Sequence, residues 1–164
     1  MNLDRAHHVL SYDPDTGLLI WRCRINSRAV AGSVAGHFTK ADGYIRVRVD
    51  GFLYLGHRVA WLLHYGAWPT LMLDHVNGVR NDNRIANLRE ATHSQQIANS
   101  IGFSKRRLPK GVWHSGNRFT ARIQLDGVPR YLGSFANAEL AHSAYCEAGN
   151  KYYGEFFCNG VRKS

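Results

Sequence analysis

One short stretch of the chain gathers the side chains that hydrolytic chemistry needs. Asp74 and His75 follow an apolar run over residues 71–73, and a loop rich in Asn, Asp and Arg comes directly after them. Histidine titrates near neutrality, so it can take the proton from a water that attacks a phosphodiester. Carboxylate oxygens are ligands that Mg²⁺ prefers, and such an ion offsets the charge that develops on the phosphate.

The placement of these two residues on an extended segment predicts divided roles. Adjacent side chains on a strand point to opposite faces, so one can hold a metal while the other faces the water. We expect a second oxygen ligand from the helix predicted over residues 92–100. The loop asparagines can orient the histidine through its second ring nitrogen. At this point an alternative stays open, in which Asp-His and the Asn-Asp-Asn-Arg run are only turn and cap residues.

Short strands and one buried helix are predicted ahead of this stretch. The predicted elements are a turn over 12–17, a strand over 18–22, a hairpin of 44–49 and 52–55 around Asp50-Gly51, and a helix over 57–65 that ends at Gly66. Arg46 and Arg48 share one face of the first hairpin strand. His57 and His64 on the apolar helix are interpreted as core or cap residues rather than metal ligands.

The last third of the chain predicts three antiparallel strands followed by one helix. The strands are expected over 112–113, 118–125 and 128–132, and the helix over 136–149, with Leu140, Ala141, Ala144, Tyr145 and Ala148 inward. The fold class is therefore α+β. The predicted domains are 1–104 and 111–164, joined by a basic linker over 105–110 that is either a phosphate-contacting strap or a solvated hinge.

Composition favours a polyanionic partner. The 164 residues carry a formal net charge of +9, and residues 105–164 hold 10 Lys and Arg against 4 Asp and Glu. A hydrophobic content of 45% suffices for a core, no apolar run is long enough for a membrane helix, and the polar N-terminus is not a secretory signal. Three widely spaced cysteines argue against disulfides and against a structural zinc site, so we expect an intracellular, reduced protein.

Residues 74–89 read D-H-x-N-G-x-R-x-D-N-R-x-x-N-L-R, which resembles the core of HNH homing endonucleases with a ββα-metal fold. The segments before this motif are similar to the N-terminal portion of phage-borne members: Y-D-P-D-T-G-L-L-I-W, A-G, D-G-Y-I-R-V-R-V-D-G and H-R-V-A-W-L. The resemblance covers about residues 10–101. The resemblance implies that Asp74 is a divalent-metal ligand and His75 the general base. It implies that Asn87 braces the loop and the histidine. The family's third metal-side position, nine residues after Asn87 and usually His or Asn, is Gln96 here, with His93 and Asn99 as fallbacks.

Residues 111–160 resemble the APETALA-two or ethylene-response-factor DNA-binding domain. The similarity lies in Gly111-Val112-Trp113, residues 119–123, Leu132-Gly133-Ser134-Phe135, residues 138–141, Ala144-Tyr145 and residues 153–156. It implies a sheet laid into a DNA groove. The expected contacts on this sheet are Trp113, Arg118, Arg122, Gln124 and Arg130, and those elsewhere are Arg46, Arg48, Arg80, Arg84, Lys105, Arg106 and Arg107.

Together these features predict a DNA endonuclease of the homing type that depends on Mg²⁺ or Mn²⁺. We expect a phage-encoded protein in the cytoplasm of a bacterial host, acting on double-stranded DNA as a monomer or weak homodimer and binding no membrane. The alternative is a sequence-specific DNA-binding protein whose nuclease site has decayed, which the departure at Gln96 keeps open. An RNA-binding module is a weaker reading, because no aromatic-rich RNA-recognition signature is present.

Overall fold

The computed structural model of the protein describes residues 1–100 and 108–160. Its contacts group the chain into two units, Met1–Glu90 and Ala91–Ser164, and each combines helices with small antiparallel sheets. The mixed composition agrees with the predicted α+β class. The linker residues Lys105, Arg106 and Arg107 lie outside the described residues. Within those residues, no helix combines the length and the apolar character that a membrane span requires.

The first unit contains two helices and three small sheets. Its elements are α1 (Leu3–Val9), β1 (Leu10–Tyr12), β2 (Leu19–Trp21), β3 (His37–Phe38), β4 (Ile45–Val49), β5 (Phe52–Leu55), α2 (Gly56–Tyr65), β6 (Met72–His75), a 3-10 turn (Ile85–Asn87) and β7 (Leu88–Ala91). β1 pairs with β2, β3–β4–β5 form one sheet, and β6 pairs with β7. The short helix α1 and strand β1 had no counterpart in the sequence predictions.

Strand β4 shows the alternation that its sequence predicts. Val47 and Val49 are buried in the core with Val59 of α2, whereas Arg48 is exposed. α2 ends at Gly66, whose φ of 78° is the left-handed conformation that favours glycine at a helix C-cap.

The turn at residues 13–17 anchors the loop that follows β6. The hydroxyl of Tyr12 donates to the carbonyl of Asn83 at 2.7 Å, and the N–H of Ile85 donates to the carbonyl of Pro14 at 3.1 Å. Gly17 has a φ of +76°, and a Cβ added there would lie 2.5 Å from the backbone nitrogen of Arg84. The close approach therefore requires glycine.

The second unit consists of α3 (His93–Asn99), β8 (Val112–Ser115), β9 (Arg118–Leu125), β10 (Val128–Phe135), α4 (Ala138–Tyr153) and a 3-10 turn (Gly154–Phe156). The sheet order is β10–β9–β8, all antiparallel, and α4 covers one face. Ala121 and Ala141 are buried between sheet and helix, as are Ile123 and Tyr145 with Phe157. This arrangement confirms the predicted three strands and helix.

The inward face of α4 differs from the prediction at one residue. Ala141 and Tyr145 are buried, but Leu140 is 53% exposed. Gly149 completes the buried stripe instead, because a Cβ added there would fall 2.0 Å from the ring of Phe157. The fully buried positions thus recur every four residues, and Leu140 belongs to the neighbouring row, in which Ala144 and Ala148 are only partly buried.

Lys110 is an anchor of the second unit rather than part of an exposed hinge. Its ammonium group donates to the carbonyls of Ala98 at 2.7 Å, Ser100 at 2.5 Å and Cys158 at 3.0 Å. The N–H of Cys158 also donates to the carbonyl of Ala98 at 3.1 Å. A cation on the last carbonyls of a helix is stabilising, so these bonds hold the C-terminal end of α3 within the second unit.

Candidate functional site

Strand β6 places Asp74 and His75 in buried positions, 5% and 3% exposed. Oδ2 of Asp74 accepts hydrogen bonds from Nε and Nη2 of Arg89 on the paired strand β7, at 3.1 and 3.0 Å. The forked guanidinium compensates the buried carboxylate, which would otherwise be costly to desolvate. The two adjacent side chains have different partners, as their strand positions predict.

The loop asparagine that orients the His75 ring is Asn83. Nε2 of His75 lies 3.2 Å from Oδ1 of the buried Asn83. With that oxygen accepting, Nε2 carries the hydrogen and Nδ1 keeps its lone pair. Burial lowers the pKa of His75, and this effect is larger than the opposing increase from the hydrogen bond that the ring donates to Asn83. The ring is therefore neutral near pH 7 and can accept a proton.

Asn87 braces the loop from the other side. Its Oδ1 accepts the N–H of Asn77 at 3.0 Å, and its Nδ2 donates to the carbonyl of Asp82 at 2.8 Å. The carbonyl of Asn87 accepts the N–H of Val76 at 2.9 Å. The resemblance assigned to Asn87 both the loop and the histidine. The structure divides these tasks, with Asn87 on the loop and Asn83 on the ring.

The rings of His57 and Tyr44 both pack near the ring of His75. The ring centroid of His57 lies 5.0 Å from that of His75, edge to face, and Tyr44 lies 5.2 Å from His57 and 6.1 Å from His75. His57 is 4% exposed, which agrees with its interpretation as a core residue. Its Nδ1 has no hydrogen-bond partner among the described residues. Burial, with a smaller contribution from His75, lowers its pKa to about 3.

The lowered pKa of His57 predicts that the free energy of unfolding begins to fall with pH before the carboxylates are protonated. Below pH 6.5 the imidazole of His57 binds a proton in the unfolded chain but stays neutral in the folded chain. The free energy of unfolding therefore falls by about 1.4 kcal/mol per pH unit as the pH drops toward 3. We expect His57→Phe to flatten this slope between pH 6.5 and 5. Urea unfolding of both proteins across that window measures it. Parallel slopes would contradict the assignment.

The arginines predicted to contact DNA in the first unit have different partners. Arg46 forms a bidentate pair with Asp42 at 2.9 and 2.5 Å, and Arg84 pairs with Asp82 at 2.6 Å. The exposed Arg48 donates to the carbonyl of Gly51 at 2.8 Å. Arg80 donates to the carbonyl of Asp42 at 3.0 Å and forms no ion pair with a described residue.

The sheet of the second unit has an open face away from α4. Alternation along β9 puts Arg118, Arg122 and Gln124 on it, and the register adds Trp113 opposite Thr120 and Tyr131 opposite Arg122. Trp113 and Tyr131 are 39% and 62% exposed.

Arg130 does not share the open face predicted for it. It lies opposite Ile123, whose side chain is buried against α4, and directly opposed residues of antiparallel strands point to the same side. The two-residue Asp126-Gly127 turn sets this register by pairing Leu125 with Val128. That turn is the signal in the sequence that could have corrected the prediction. Tyr131 occupies the position expected for Arg130.

Gln96 lies in α3, whose first turn is capped by Thr92 and Gln95 in a capping box. Its own N–H donates to the carbonyl of Thr92 at 3.0 Å, and its side chain is half-buried. No cluster of three or more His, Cys, Asp or Glu that could hold a metal occurs within residues 1–100 and 108–160. A single carboxylate such as Asp74 still suits Mg²⁺, which commonly binds one or two carboxylates plus waters and phosphate oxygens.

A neutral, oriented histidine beside a buried carboxylate is an arrangement that can activate water for hydrolysis. Residues 54–97, from β5 through most of α3, match the family model described as HNH endonuclease. This segment contains the Asp74–His75 pair and Asn83, and it indicates a nuclease. Nucleases of this family act on DNA and generally depend on a divalent metal ion. No curated protein and no solved structure matches the chain.

Proposed function

We propose that the protein is a metal-dependent DNA endonuclease in which His75 is the general base. The observation that carries this proposal is the ring of His75, buried and neutral, with Nε2 fixed by Asn83 so that Nδ1 is the basic atom. It stands next to the carboxylate of Asp74, which forms an ion pair with Arg89 at 3.0 Å. The match of residues 54–97 to the HNH endonuclease family supports the same reaction.

The chemistry follows from this geometry. Nδ1 of His75 takes a proton from a water whose oxygen attacks the phosphorus of a phosphodiester. A bond forms between that oxygen and phosphorus, the bond from phosphorus to the leaving oxygen breaks, and solvent protonates the leaving oxygen. Asn83 keeps the ring in the required tautomer and stabilises the imidazolium that forms, through the same hydrogen bond. A divalent ion, when bound, would stabilise charge on the phosphate.

Asp74 is the residue that would hold this ion, and Mg²⁺ or Mn²⁺ suits its hard oxygens. Gln96, at the position that the resemblance gives to a second ligand, is proposed to add an amide oxygen. The proposal includes action as a homing-type enzyme from a phage, in the cytoplasm of a bacterial host. A monomer on DNA would nick one strand, whereas a weak homodimer would cut both.

Gln96 can be tested directly. We expect Gln96→Ala to lower the cleavage rate by removing one oxygen from the ion, and by more than the roughly 10–100-fold that is typical when a residue only supports a metal ligand. Gln96→Asn should retain or raise activity, because asparagine is a usual residue of the family at this position. Single-turnover nicking across a Mg²⁺ titration compares the three proteins. One common curve would remove Gln96 from the mechanism and direct attention to His93 and Asn99.

The second unit is proposed to bind double-stranded DNA through the open face of its sheet, in the manner of the APETALA-two domain that it resembles. Trp113 and Tyr131 present exposed rings there, and the guanidinium of Arg122 has no partner among the described residues. Arg118 is tied to Ser134 by bonds of 3.0 and 2.9 Å. Arg122 is thus the cation on this face that is best able to reach DNA.

We expect Arg122→Ala to weaken DNA binding and to lower the slope of log affinity against log salt by about 0.9, the value for one lost phosphate contact. Lys151→Ala removes the same charge from the exposed side of α4 and should leave affinity and slope unchanged. Fluorescence anisotropy with a random-sequence duplex at several salt concentrations measures both. Point substitutions are preferable to deleting residues after 104, because the deletion would also remove the contacts that hold α3. Equal behaviour of the two variants would contradict the proposed face.

The proposed function itself is tested by nicking of supercoiled plasmid DNA with Mg²⁺, with Mn²⁺ and with EDTA. We expect conversion to the open-circular form with either metal and none with EDTA. DNA binding without nicking under every metal condition would favour the alternative, a DNA-binding protein with a decayed nuclease site.

A further inference from the structure

We propose that Arg80 is a catalytic residue that binds a non-bridging oxygen of the phosphodiester attacked by the water that His75 activates. This inference rests on the proposed function and assigns one of its arginines to the reacting group itself, not to the DNA backbone at large.

The first support is that Arg80 forms no ion pair with a described residue, unlike its neighbours. Arg46, Arg84 and Arg89 are each paired with a carboxylate, from Asp42, Asp82 and Asp74 respectively. Arg80 is exposed, and within the described part of the chain its side chain donates one hydrogen bond, to the backbone carbonyl of Asp42 at 3.0 Å. A carbonyl holds a guanidinium in place without neutralising it. The nearby carboxylate of Asp42 is bonded to Arg46, so the Arg80 guanidinium keeps N–H donors available for an anion.

The second support is the position of Arg80 relative to His75. The Arg80 guanidinium carbon lies 5.2 Å from the ring centroid of Tyr44, within the range of a cation–π contact. The ring of Tyr44 in turn lies 6.1 Å from that of His75. The guanidinium and the candidate base thus flank one aromatic ring. Two anchors, the carbonyl and the ring, hold the long side chain and reduce the entropy lost when it binds a ligand.

The third support is chemical. Negative charge grows on the non-bridging oxygens as the water attacks, and a guanidinium presents several N–H donors in a fixed planar fork. A donor that is already positioned where charge develops lowers the barrier more than it strengthens ground-state binding. Arg80 should therefore act mainly on the rate of cleavage and only weakly on DNA affinity.

The test compares Arg80→Gln, Arg80→Lys and Arg80→Gly with Arg22→Gln. Arg22 is a matched control: it is exposed, it donates to the carbonyl of His7 at 2.8 Å, and it has no carboxylate partner among the described residues. The probes are supercoiled plasmid DNA and thymidine 5′-(p-nitrophenyl phosphate), a small diester that requires no target sequence. Plasmid nicking is followed under single turnover, kcat and KM are measured on the small diester, and DNA affinity is measured by anisotropy.

For Arg80→Gln we expect nicking slower by about 10²–10³-fold, the usual loss of one donor to a developing oxyanion, with DNA affinity within about threefold. On the small diester the loss should lie in kcat. Arg80→Lys should recover part of the rate, and methylguanidinium added to Arg80→Gly should restore part of it. Arg22→Gln should cleave at the wild-type rate.

Three outcomes would overturn the assignment. If wild-type protein cleaves and Arg80→Gln cleaves equally fast, Arg80 has no catalytic role, although the nuclease function stands. If the loss lies in affinity or in KM alone, Arg80 is an ordinary backbone contact. A wild-type protein that cleaves neither probe with any divalent metal would contradict the proposed function, and the role of Arg80 with it.

Discussion

Replacing His75 with alanine is expected to abolish cleavage while DNA affinity stays within a few-fold of wild type. The imidazole acts only when the attacking water loses its proton, so its removal raises the barrier without changing ground-state binding. Loss of a general base costs about 10²–10⁴-fold in rate. Single-turnover nicking in excess enzyme, together with anisotropy on the same DNA, separates the two effects.

The buried location of His75 requires a check that the variant still folds. Alanine leaves a cavity beside His57 and removes the partner of Asn83, so some loss of thermal stability is expected. His75→Gln fills more of that space and should be equally inactive. His64→Ala, on the exposed side of α2, is the control and should remain active. Nicking at the wild-type rate by a folded His75→Ala protein would refute the assignment of the base.

Asp74 is expected to be essential for cleavage, but its removal has a second consequence that only the structure reveals. Asp74→Ala leaves the guanidinium of Arg89, whose side chain is 14% exposed, without its carboxylate. Breaking a buried ion pair from one side costs about 3–5 kcal/mol. The protein should therefore lose stability as well as activity, and inactivity alone would not identify a metal ligand.

A second substitution separates the two contributions. Asp74→Ala combined with Arg89→Met removes both charges and should recover most of the lost free energy of unfolding, measured by urea titration. Cleavage should remain absent in the double variant at every Mg²⁺ and Mn²⁺ concentration. Recovery of activity together with stability would mean that Asp74 supports the fold and binds no metal.

The residues of the candidate site can be predicted from the sequence to different degrees. The sequence indicates Asp74 and His75 as functional residues, because an acid and a histidine lie at the end of an apolar strand and a polar loop follows. Asn83 was included only as one of several loop asparagines, since no periodicity distinguishes them. The sequence gives no role to Arg89, the last residue of the motif, because its partner is 15 positions away and meets it only when β6 pairs with β7.

The sequence by itself determined the local elements and the chemistry available to them. Alternation over residues 45–49 and the Asp-Gly turns specify strands and hairpins, because backbone preference and side-chain period act between near neighbours. Only the tertiary structure decided which loop arginine forms no ion pair with a described residue, which asparagine orients His75 and with which elements α3 makes its contacts. Each of these depends on contacts between residues distant in the chain, such as Tyr12 with Asn83 and Lys110 with Cys158. Ion pairing and burial arise from such contacts, so identical arginines in one loop, Arg80 and Arg84, acquire different chemistry.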